Sequence, residues 1–72
     1  MTLSMLEPGT SAMIQSVDAK PAMTRRLSSM GFVPGATVTV LRIKTGARHV
    51  RIGTTEWALS DKTAEMIRLR HV

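Results

Sequence analysis

The chain has 72 residues, no cysteine, and ten Lys or Arg against five Asp or Glu, for a net charge of +5. This length fits a single domain over residues 1–72, below the common size of about 100–150 residues. The missing cysteines exclude a disulfide framework and a thiolate metal site and suit a reducing cytoplasm.

Taken in chain order, Glu7-Pro8-Gly9-Thr10 places Pro and Gly where a type II turn needs a fixed φ followed by a positive one. A first strand is predicted over 12–17, with Ile14 and Val17 among small and polar residues. From 21 to 30, Met23, Leu27 and Met30 recur at i, i+4 and i+7, the spacing of one helix face, with Arg25, Arg26, Ser28 and Ser29 mostly on the others. Pro21 suits the first turn, where its missing N–H would have no intrahelical partner. Gly31 stops the helix in a left-handed conformation and sets Phe32 to pack back on Leu27 in a Schellman cap. Val33-Pro34-Gly35-Ala36 repeats the turn chemistry, so Gly31, Pro34 and Gly35 are assigned to cap and turn.

The second strand begins at Thr37. Val38 and Val40 share one face, but Leu41 and Ile43 belong to the opposite phase; a bulge near Val40 or Leu41 reconciles them, unless Leu41 is a singly exposed apolar residue. Thr45-Gly46-Ala47 reads as a hairpin loop into a strand over 49–52, and Gly53-Thr54-Thr55 as a turn into a strand over 56–59 with Trp57 and Leu59 inward. Ser60 or Asp61 caps a short helical turn through Thr63 and Ala64, and a last β segment spans 66–69. About five short strands with one short helix between the first two predict a mainly β fold, a small closed or nearly closed barrel rather than a layered α/β sheet.

No run approaches the ~20 apolar residues of a membrane-spanning helix. Thr2, Ser4, Glu7, Pro8 and Gly9 break up the apolar residues at the start, so neither a signal peptide nor membrane insertion is expected. The five carboxylates and two histidines fall at no catalytic spacing, and Glu56 and Glu65 read as surface charges, so no enzyme is expected. His49 alternates with the inward Val50, and His71 lies beside the C-terminus. The two are weak candidates for a divalent ion such as Fe, Mn or Zn, because structural zinc sites use four Cys or His at compact spacing. Gly31-Phe32-Val33-Pro34-Gly35 lacks the Lys-Ser or Lys-Thr of a P-loop. Methionine readily fills irregular cores, which accounts for Met23 and Met30 without a soft metal.

Arg25 and Arg26 on the helix, with Arg42, Arg48, Arg51, Arg68 and Arg70 on strands, are placed to form a basic stripe or simply a solvated face. One Trp and one Phe leave few platforms for stacking bases, which ranks a nucleic-acid-binding barrel second. A transition-metal sensor is a third reading.

The run from Thr24 to Leu41, Thr-Arg-Arg-Leu-Ser-Ser-Met-Gly-Phe-Val-Pro-Gly-Ala-Thr-Val-Thr-Val-Leu, resembles the FeoA family, with its Arg-rich helix, hydrophobic-Gly-hydrophobic-x-Pro-Gly passage and Val-x-Val-Leu strand. Leu6, Gly9, Ala12 and Ile14 resemble the family's opening; Leu59, Ala64, Met66 and Ile67 resemble its closing residues. The resemblance implies an SH3-like barrel that serves ferrous-iron uptake as an accessory module, in company with FeoB, a membrane GTPase, and with no required cofactor. For a docking role the basic residues Arg25, Arg26, Arg42, Arg48 and Arg51 are the expected partner contacts, and self-association is compatible with it. Lys44-Thr45-Gly46-Ala47-Arg48 is shorter and more basic than the family's usual Ala-Pro-Leu-Gly-Asp-Pro loop, and Ser60-Asp61-Lys62-Thr63 replaces several of its usual last-turn residues.

Overall fold

In the computed structural model, residues 1–70 are described. Strands β1 (Ser11–Val17), β2 (Thr37–Lys44), β3 (Ala47–Ile52), β4 (Thr55–Ser60) and β5 (Ile67–Leu69) form one antiparallel sheet in the order β4-β3-β2-β1-β5. Helix α1 (Pro21–Ser29) lies between β1 and β2, and the one-turn helix α2 (Asp61–Ala64) between β4 and β5. The mainly β architecture with one helix between the first two strands is the one the residues predict.

Each reversal follows from its residues. Thr10 N–H donates to Glu7 O at 3.1 Å with Gly9 at φ +84°, and Ala36 N–H donates to Val33 O at 3.1 Å with Gly35 at φ +92°, as type II turns require. At the end of α1, Gly31 N–H donates to Ser28 O at 3.0 Å and Phe32 N–H to Leu27 O at 2.9 Å, the paired bonds of a Schellman cap, with Gly31 at φ +102°. Thr45 and Gly46 join β2 to β3 with φ of +53° and +74°, a type I′ turn whose twist suits the hairpin. The Ser60 side chain accepts from Thr63 N–H and caps α2.

The core draws on every element. Leu3, Ile14, Leu27, Phe32, Val38, Val40, Val50 and Ile67 are almost wholly buried, with Leu59, Ala64 and Leu69 beside them. Fully burying an aliphatic or Phe side chain contributes about 1.5–3 kcal/mol, which lets so few residues hold a sheet of this size.

The first residues, for which the sequence predicts no element, are part of the fold: Leu3–Met5 form a 3-10 turn, Leu3 is 0% exposed, and Thr2 bridges Arg68. The bulge exists, as a register shift between Val40 and Arg42, and it pairs Ile43 with Arg48, yet Ile43 stays 48% exposed. The bulge restored the phase, but the hairpin there has run past the core. Trp57 lies inward with Leu59 but is only half-buried.

Candidate functional site

The arginines expected to form one surface are divided by the sheet. In β3, Val50 and Arg48 lie two residues apart and therefore on the same, inner, face. Arg48 is 7% exposed; its guanidinium donates to the carbonyls of Leu6 and Ser4, the latter at 2.6 Å, and Nε lies 3.6 Å from Asp61 Oδ1. Its assignment as a partner contact is corrected: it holds the N-terminal segment onto the barrel. The signal was in the alternation, since counting back two from Val50 places Arg48 inward.

Arg51, three residues on, faces outward and is exposed. The same outer face carries Arg42, His49 and Glu56, brought together by the β2-β3-β4 pairing. Arg42 Nη2 donates to Glu56 Oε2 at 2.5 Å, and His49 Nδ1 lies 3.7 Å from the same oxygen. His49 is half-buried rather than fully solvent-facing, and the carboxylate beside it is already engaged by a guanidinium. Among the described residues no three His, Asp or Glu side chains converge; His71 lies outside the described residues.

Arg25 and Arg26 are exposed on α1, and among the described residues neither joins an ion pair. Arg26 borders a groove of about 170 Å³ between α1 and the β4–α2 corner, lined by Met23, Leu27 and Met30 on one side and Ala58, Leu59, Ser60 and Thr63 on the other. Met23 and Met30 are half-buried, packed on the core with one flank on this groove. Sequence reasoning assigned them to the core alone; their spacing gave the helix face, and only the distance of α1 from β4 shows that the face is not filled. Arg70 lies in a different, more open hollow with Met13, Gln15 and Pro34.

What this arrangement can do is bind. It offers a cation that pairs with no carboxylate of the described residues, beside flexible apolar side chains. No helix among the described residues is long and apolar enough to cross a membrane.

The FeoA domain model matches residues 1–71. The fold is similar to that of the FeoA of Stenotrophomonas maltophilia, a prokaryotic SH3 domain protein solved with zinc, at 34% identity and TM-score 0.88 over 97% of this chain and 89% of that one. It is equally similar to the Chlorobium tepidum FeoA protein, at 35% identity and TM-score 0.88 over 96% and 68%. The iron(II) transport protein A of Clostridium thermocellum aligns at 28% identity and TM-score 0.91 over 100% and 46%. A manganese-dependent transcriptional repressor shares the fold alone, at 24% identity. No curated protein matches the chain.

Proposed function

This chain belongs to the FeoA family, whose role lies in ferrous-iron transport, and from that premise we propose that it is a cytoplasmic, non-enzymatic accessory module that docks on the cytosolic part of a FeoB-like membrane GTPase. The supporting observation is the exposed Arg25-Arg26 pair on α1, which joins no ion pair among the described residues, with Arg26 bordering the groove beside Met23, Leu27 and Met30. Arginines without internal partners suit an acidic protein face, where they steer encounter and fix orientation. Arg42 and Arg51, on the outer face of β2 and β3, extend the cationic surface, with Arg42 partly neutralised by Glu56.

A module of this kind changes transport or GTP turnover only by binding two conformations of its partner unequally. Allosteric couplings of this sort are typically about 1–3 kcal/mol, or about 5- to 150-fold in affinity. The role requires no resident metal. The zinc of the Stenotrophomonas protein belongs to that protein, and weak divalent binding through His49 is a side property in this reading.

The test is recovery of partners by the tagged full chain from anaerobic, iron-limited cells, comparing wild type with Arg25→Glu/Arg26→Glu. A membrane GTPase recovered by the wild type and reduced at least tenfold in the variant is the expected result, about 1.4 kcal/mol of binding. Recovery of nucleic acid instead, with binding that falls linearly against salt on logarithmic axes, would overturn it.

A further inference from the structure

The groove beside α1 meets β4 at Ala58, Leu59 and Ser60, the end of an open edge strand. β4 ends the sheet, and among the described residues no strand pairs on its far side. The two-residue turn Gly53-Thr54 makes Ile52 and Thr55 the hydrogen-bonded closing pair of the β3–β4 hairpin. Alternation from that pair directs the backbone groups of Trp57 and Leu59 toward β3 and those of Glu56 and Ala58 away from it. No other segment among the described residues bonds the main chain of Glu56 or Ala58.

Natural proteins blunt such edges with lysine, proline, bulges or a covering segment, because an open edge is a template for another strand. β4 reads Thr-Glu-Trp-Ala-Leu-Ser, without lysine or proline, and its register against β3 is unbroken from Ile52–Thr55 to Ala47–Ser60. An edge guarded by one charge, itself engaged by Arg42, remains a template for an added strand.

The groove specifies what that occupant is. A cavity of about 150 Å³ holds a benzene molecule, so 170 Å³ holds one medium apolar side chain; a helix about 10 Å across does not fit. Met23 and Met30 are unbranched and polarizable and mould to such a side chain. Arg26 is the one charged residue lining the groove, and no carboxylate of the described residues pairs with it.

We propose that an extended segment of the partner protein adds a strand along β4, bonding the main chain at Glu56 and Ala58, with one apolar side chain seated among Met23, Leu27 and Met30 and one carboxylate on Arg26. This rests on the docking role proposed above and supplies its mode: main-chain bonds give affinity, and the groove with Arg26 gives selection. A second copy of the chain is a poorer occupant. The net charge of +5 repels a like molecule, and the one acidic residue of β4, Glu56, is taken by Arg42.

The experiment binds the full-length chain to its FeoB-like transporter in lipid nanodiscs and reads amide exchange residue by residue. Exchange at Glu56 and Ala58 is expected to slow at least tenfold in the complex. Ala58→Pro, tolerated where the N–H of an edge strand points outward, and Arg26→Gln are each expected to weaken binding at least tenfold. Should Ala58→Pro lose the native circular dichroism, Arg26→Gln and the exchange pattern decide. Wild-type binding with both edge amides unprotected and Arg26→Gln within twofold would overturn this mode while leaving the docking role intact. Protection of the same edge by self-association alone would overturn the assigned occupant. No wild-type binding at all would overturn the docking role itself, and this mode with it.

Discussion

The passage from α1 into β2 and the N-terminal segment are both irregular backbone packed on one core, yet they are held by different means. In the passage, the bonds that shape the chain close within a few residues, Gly31 to Ser28, Phe32 to Leu27 and Ala36 to Val33, while Gly35 to Ile14 and Ile14 to Ala36 tie it to β1. The N-terminal segment has local bonds too, Met5 to Thr2 and Leu6 to Leu3, but its position is set from afar. Arg48 reaches the carbonyls of Leu6 and Ser4 across 42 and 44 residues of chain, and Leu69 N–H donates to Met1 O at 2.9 Å. The first region takes its shape from its own residues and is then anchored to β1; the second takes its place only when the barrel is formed around it.

The sharpest way to break this contrast is Arg48→Met, which keeps most of the side chain's volume and removes the cation. Hydrogen bonds to charged groups are worth about 1.5–3 kcal/mol, and two carbonyls lose their donor at once, so a loss of about 3 kcal/mol is expected in the urea unfolding free energy. Amide exchange at Met5 and Leu6 should quicken while Phe32 keeps its protection; equal quickening at both sites would mean that the two regions are not separable.

Gly31→Ala strikes the local device instead. An added Cβ would sit at φ +102° and 3.1 Å from Ile52 Cγ2, and left-handed backbone costs an ordinary residue about 1–2 kcal/mol. A drop of that size in the same assay is expected, with Leu6 exchange unaffected. A loss larger than that of Arg48→Met would reverse the ranking of the two regions.

Smallest is Arg51→Met, the same change three residues along the same strand. Arg51 points outward and is exposed, and substitutions at such positions usually lie within about 0.5 kcal/mol. A midpoint indistinguishable from wild type would show that the cost at position 48 belongs to its buried bonds rather than to the loss of charge.

Much of the fold was written locally. Pro8-Gly9, Pro34-Gly35 and the Met23-Leu27-Met30 spacing announced two turns and a helix, and the phase change after Val40 announced the bulge. What the residues around Ile43 did not disclose was that the hairpin would extend beyond the core, since burial depends on which atoms lie opposite and not on phase alone. The candidate site was legible only in part: Arg25 and Arg26 are where the helix pattern put them, exposed and in no ion pair among the described residues, whereas Arg48 is like them in charge and separated from them by the sheet.

The sequence by itself determined the turn types, the capped helix, the strand count and the family, because each rests on backbone preferences and side-chain periodicity confined to neighbouring residues. The tertiary structure alone decided that Leu3 is core, that Arg48 is a clasp, and that α1 stands off from β4 beside an open edge. Those depend on distances between segments far apart in the chain, and no local preference carries that information.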